Sequence, residues 1–124
     1  MRYSKEHCRI EKTANGALIG ITDYARSKIC KSYELFLCDE GDFIRAGESI
    51  GEIVSCKFFD IISPVNGTVV RVNDDIIGND KLLVGDNPWL VEMTDVAFTR
   101  PLMSENEYNS YILKLAEAEP TICK

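Results

Sequence analysis

Apolar residues alternate with polar ones over short stretches: around Ile50 and Val54, through Val69-Val70-Arg71-Val72, and through Leu90-Val91-Glu92-Met93. Gly and Pro punctuate the intervals, so the pattern is that of short strands joined by tight turns, and the chain reads as a mainly β protein. Two segments break the two-residue period. Thr22-Asp23-Tyr24-Ala25-Arg26-Ser27-Lys28-Ile29 offers Thr22 or Asp23 as an N-cap, with Tyr24, Ala25 and Ile29 on one face, and predicts a short helix near 23–30 packed on the sheet. Ser104 is followed three residues later by Glu107, and Tyr108, Tyr111, Ile112, Leu113 and Leu115 recur at helical spacing. A C-terminal helix near 105–117 is expected there, closing one edge of the β structure, with Pro120 and the tail after it frayed. Trp89, at the head of a strand, is expected in the core.

The 124 residues are 45% hydrophobic, which fits one domain over 1–124 with a modest core and no linker. No apolar run is long enough for a membrane helix, and the N-terminus shows neither a signal peptide nor an Arg-rich presequence, so a cytoplasmic protein is expected. The net charge of −6 argues against nucleic acid as a partner and is compatible with docking onto basic rims of other proteins, although an acidic surface also serves solubility. Five cysteines, Cys8, Cys30, Cys38, Cys56 and Cys123, contain no Cys-x-x-Cys pair and share the chain with a single histidine. Neither a disulfide framework nor a zinc site follows from that arrangement, and no metal site is expected. His7 reads as a structural hydrogen-bonder and Asp23 as a helix cap.

The candidate chemistry lies at Lys57. It sits within Ile53-Val54-Ser55-Cys56-Lys57-Phe58-Phe59-Asp60, preceded by Gly41-Asp42-Phe43-Ile44-Arg45-Ala46-Gly47-Glu48 and followed by Ser63-Pro64-Val65-Asn66-Gly67-Thr68-Val69-Val70. Without those flanks, a lysine between two short apolar runs would read as a solvated turn residue. A weak internal duplication relates the Gly41 to Glu48 segment to Gly67-Thr68-Val69-Val70-Arg71-Val72-Asn73-Asp74.

These flanks resemble the lipoyl and biotinyl carrier domains. Together with Ser4-Lys5-Glu6-His7, Ile19-Gly20-Ile21-Thr22-Asp23-Tyr24-Ala25, Ser55-x-Lys57 and Asn87-Pro88-Trp89-Leu90, they resemble most closely the H proteins of the glycine cleavage system, or an H-like paralogue. The resemblance implies a flattened β-barrel or sandwich, the barrel-sandwich hybrid of carrier domains, with Lys57 as the lipoyl-lysine and lipoate as the covalent cofactor. It further implies a non-catalytic shuttle, with no catalytic residues, whose partners are glycine decarboxylase, a tetrahydrofolate-dependent aminomethyltransferase, dihydrolipoamide dehydrogenase and a lipoate-attaching enzyme. A role in relaying lipoyl groups to other carriers is the variant of that reading. The cofactor would supply the redox chemistry and the protein its location.

The chain departs from the family near the lysine. One residue is missing between Gly41-Asp42 and Ser63-Pro64, so that counting forward places the family's lysine at Lys57 and counting backward places it at Cys56. A shortened hairpin either changes the turn or flips the strand that follows. Val54 stands where a glutamate is usual, and Phe58 and Phe59 stand where small residues are usual; the two aromatics are either core or an exposed docking patch. The tryptophan that normally follows Glu6-His7 is absent, and the loop before Trp89 is short. Three rivals are weighed: an H-like binding protein that has lost its arm, motivated by the shortened hairpin; a biotinyl carrier, which shares the fold class; and an enzyme using Cys56 as nucleophile. The biotinyl pattern lacks its methionines here, and the nucleophile lacks an activating base.

Overall fold

The structure, a computed structural model, describes residues 1–29, 33–55, 58–77 and 89–118, the last three by their backbone. Among these residues the chain forms nine strands in two sheets. The larger sheet contains β1 (Arg2–Tyr3), β2 (Cys8–Lys12), β3 (Gly16–Ile21), β5 (Phe43–Ile44), β8 (Asn66–Val72) and β9 (Val91–Ala97), in the order β1-β2-β3-β9-β8-β5. The smaller contains β4 (Glu34–Leu37), β6 (Ser49–Val54) and β7 (Phe58–Ile62), with β6 in the middle. All pairings are antiparallel. The sheets are open, so the expected flattened barrel is realised as its sandwich form.

One hydrophobic core joins the two sheets. Ile10, Ile19, Ile21, Val69, Val91 and Met93 come from the larger sheet, and Leu35, Ile50, Ile53 and Ile61 from the smaller. Burial of these β-branched and long apolar side chains is the main driving term for bringing the sheets together. One expectation about the core needs correction. Trp89 is half-buried, its ring lying under the Arg71 guanidinium at 4.8 Å, and Leu90 beside it is fully buried instead. Val54 is 40% exposed while Ile50 is buried, because a bulge between Ser49 and Gly51 reverses the facing of the rest of β6.

Helix α1 (Asp23–Ser27) is shorter than expected, and Cys30 lies outside the described residues. Its N-cap is Thr22, whose hydroxyl accepts from the Ala25 N–H at 3.2 Å; Asp23 is the first helical residue and pairs with Arg26 at 3.2 Å. Ala25 is buried, and Tyr24 and Ile29 are half-buried, as the one-faced pattern predicts. Helix α2 (Glu105–Ala118) begins with a reciprocal capping box. Ser104 N–H donates to Glu107 Oε1 at 2.9 Å, and Glu107 N–H donates to Ser104 Oγ at 3.3 Å. The helix packs on β1, the edge strand of the larger sheet, where Tyr108 stacks on Tyr3 at 4.9 Å between ring centroids. Leu113, expected on the packed face, points to solvent. No helix among the described residues is long and apolar enough to cross a membrane.

Candidate functional site

Lys57 and Cys56 lie outside the described residues, and the structure defines the two strands that bracket them. Strands β6 and β7 pair through Glu52–Asp60, Ile53–Phe59 and Val54–Phe58. Only residues 55–57 separate the last pair, a connection of the length that commonly joins hairpin strands. The facing of β7 alternates: Ile61 is fully buried, Phe59 packs against the core, and Phe58 and Asp60 face outward. The two aromatics therefore divide, one supporting the sandwich and one on its surface.

The motifs that bracket the hairpin fasten its base. Gly47 N–H donates to the Ser63 carbonyl at 2.9 Å, and Ser63 N–H donates to the Glu48 carbonyl at 2.8 Å. Ala46 N–H donates to Asn66 Oδ1 at 2.7 Å, while Glu48 Oε1 accepts from Arg45 N–H at 2.7 Å. Ser63, fully buried, closes its own turn through a 2.6 Å bond from Oγ to the Val65 carbonyl. Gly47 has φ of +96°, a conformation costly for any residue with a Cβ, which accounts for a glycine there. The two related segments, Gly41 to Glu48 and Gly67 to Asp74, lie side by side, since Phe43 pairs with Thr68 and Ile44 with Gly67.

The N-terminal motif builds a second anchor. His7, at φ +70°, tops the turn between β1 and β2, and its Nδ1 lies 2.8 Å from the Tyr108 hydroxyl. Thr22 Oγ1 lies 2.7 Å from the same hydroxyl, so Tyr108 ties the turn, the cap of α1 and α2 together. Burial pushes the Tyr108 phenol up to about 12, against a smaller opposite effect from the Thr22 hydrogen bond. Cys8 is fully buried with its Sγ 3.2 Å from the Ile62 carbonyl, and burial, aided by Glu6, pushes its thiol up to about 12. Arg9, also buried, donates from Nε to the Ile21 carbonyl at 3.3 Å. Burial likewise pushes the Cys38 thiol up to about 11, so neither described cysteine is activated as a nucleophile. Cys123, Asn87 and Pro88 lie outside the described residues.

This is a two-sheet sandwich that supports a lysine-bearing connection between two adjacent strands of its smaller sheet, and the same fold is found in a solved glycine cleavage system H protein from Mycobacterium marinum. The two chains superpose with a TM-score of 0.78 over 90% of this chain and 94% of that one, at 24% identity. The family described as Glycine cleavage H-protein matches residues 1–115. Curated relatives named glycine cleavage system H protein include one from Mycolicibacterium vanbaalenii, 39% identical with 75% of each chain covered. Another, from Carboxydothermus hydrogenoformans, is 36% identical with 96% of this chain and 93% of the relative covered. The chain belongs to the glycine cleavage H-protein family.

Proposed function

We infer that this chain is a non-catalytic, cytoplasmic carrier that bears lipoate on Lys57 and serves glycine cleavage, its 124 residues forming one carrier domain. The observation that carries the reading is the β6–β7 hairpin of an H-family chain, paired up to Val54 and Phe58 with both flanking side chains exposed around the Ser55-Cys56-Lys57 connection. That environment suits a covalent arm, since exposed flanks leave an enzyme room to reach the amine while the clamps at Gly47, Glu48 and Ser63 keep the strands fixed. Lipoate, once attached, supplies a dithiolane able to take and release an aminomethyl group and to be reoxidised by thiol–disulfide exchange. In the attachment itself, the Lys57 amine forms an amide with a lipoyl group activated as its adenylate. AMP leaves with the electron pair of the broken C–O bond, and the amine's proton passes to solvent. The chain's own part is to supply the Lys57 amine, and to present a fixed surface to glycine decarboxylase, the aminomethyltransferase, dihydrolipoamide dehydrogenase and the lipoate-attaching enzyme. The relay of lipoyl groups to other carriers would use the same amide.

The test is intact mass and peptide mapping after incubation with lipoate, ATP and a lipoate ligase from the same organism. One lipoyl increment on the peptide containing Lys57, absent in Lys57→Ala, is expected. An unmodified chain would favour an H-like binding protein without an arm.

A further inference from the structure

The register fixes what the smaller sheet shows to solvent. Glu34, Val54 and Phe58 stand opposite one another across β4, β6 and β7, and Phe36, Glu52 and Asp60 form a second outward row. The row between them, Leu35, Ile53 and Phe59, faces the core. Phe58 is 62%, Phe36 49% and Val54 40% exposed. These three strands contain no lysine, arginine or histidine, so the face combines three apolar side chains with three carboxylates and has no cation of its own strands to balance them.

Exposed aromatic side chains grouped on one sheet face add nothing to the core and are the usual mark of an interaction surface. The charge selects what covers it. Nucleic acid and anionic lipid would be repelled by Glu34, Glu52 and Asp60. A second copy docking by the same face would bring like carboxylates together, because a two-fold contact is made by one patch on both partners. A protein with an apolar platform bordered by lysine or arginine is complementary to it. The face ends at Val54 and Phe58, next to the connection that carries Lys57, so an enzyme that approaches that lysine along the hairpin meets it.

We propose that the outer face of β4, β6 and β7 is the docking surface for the enzyme that attaches lipoate, with Phe58, Val54 and Phe36 as apolar anchors and Glu34, Glu52 and Asp60 meeting basic side chains on that enzyme. This rests on the carrier reading above.

The test follows the rate of lipoyl transfer as a function of carrier concentration for the wild type, Phe58→Ser, Glu52→Lys and, as a control away from the face, Leu113→Ser, using the ligase with lipoate and ATP and reading intact mass. Melting curves establish that each is folded; should Phe58→Ser fail to fold, Glu52→Lys decides. The expected result is a rise in KM for the carrier of about thirtyfold in Phe58→Ser and about tenfold in Glu52→Lys, with kcat little changed and the control unaffected. Raising salt to about 0.5 M should slow the wild type and narrow its advantage over Glu52→Lys. Wild-type kinetics in both face variants would overturn the docking surface and leave the carrier reading standing. A wild type that accepts no lipoate would overturn both. Self-association of the wild type, abolished by the same substitutions, would assign the face to a second copy and overturn the proposal.

Discussion

Ile53 and Phe58 are five residues apart on the same hairpin and do opposite work. Ile53 is fully buried between the sheets, whereas Phe58 stands on the surface. Truncation of Ile53 to alanine should cost about 3 kcal/mol, through lost transfer free energy and the cavity left behind. Phe58→Ala should change stability by less than about 0.5 kcal/mol. Urea unfolding of both variants checks the pair, and a large loss in Phe58→Ala would mean that the ring packs as core. Gly47→Ala should also destabilise, by about 1–2 kcal/mol, since φ at +96° lies where a Cβ is strained. At this scale the sequence is legible for glycines and for strongly apolar positions such as Ile53. It is silent on facing near Val54, because the bulge at Ser49–Gly51 that reverses it leaves no local signal. The exposure of Phe58 and the inward turn of Phe59 follow from that same register.

The elements that were easiest to read are those closed by local chemistry. The α2 capping box spans four residues and lies entirely within the chain's near neighbourhood, so Ser104 and Glu107 announce it. Ser104→Ala should cost about 1 kcal/mol, measured by chemical unfolding. Hydrogen bonds from the Ser104 backbone and hydroxyl hold the Glu107 carboxyl below its ordinary value. Its contribution is therefore complete above the unfolded carboxyl's pKa and is lost as pH falls through the lower native one, a slope that should shrink in Glu107→Gln. The α1 cap was ambiguous between Thr22 and Asp23 because both side chains can accept a backbone bond; tertiary contact with Tyr108 holds the Thr22 hydroxyl in place. The far end of α2 shows the limit of periodicity. Leu113 fits an apolar spacing, yet β1 meets only the side of the helix that carries Tyr108. For the candidate site, Lys57 and its flanking motifs were readable from residue types at fixed spacing. The acidic and aromatic face beside it was not, since it is assembled from three strands whose register is a long-range property.

For the whole molecule, two buried acids in different places make stability depend on alkali. Cys8 lies where the first strands meet β7, and Tyr108 joins α2 to the His7 turn and to Thr22. Both hold their protons more tightly in the native state, mainly because burial disfavours the thiolate and the phenolate, and each reaches about 12 from ordinary values of 9.0 and 10.0. A raised native pKa gives stability that is complete below the unfolded value and declines as pH rises toward the native one, because the unfolded chain then releases the proton first. The loss should begin near pH 9 with Cys8 and steepen from pH 10 with Tyr108, approaching completion near pH 12. At about 1.4 kcal/mol per unit, the phenol alone contributes on the order of 2 kcal/mol. Urea midpoints measured at intervals across this window should fall progressively in the wild type. In Tyr108→Phe the midpoint should start lower, because the hydroxyl's bonds to His7 and Thr22 are gone, and then fall less between pH 10 and 12. Equal slopes in the two proteins would mean that the Tyr108 phenol titrates as it does in the unfolded chain, and that the junction it forms is open to water.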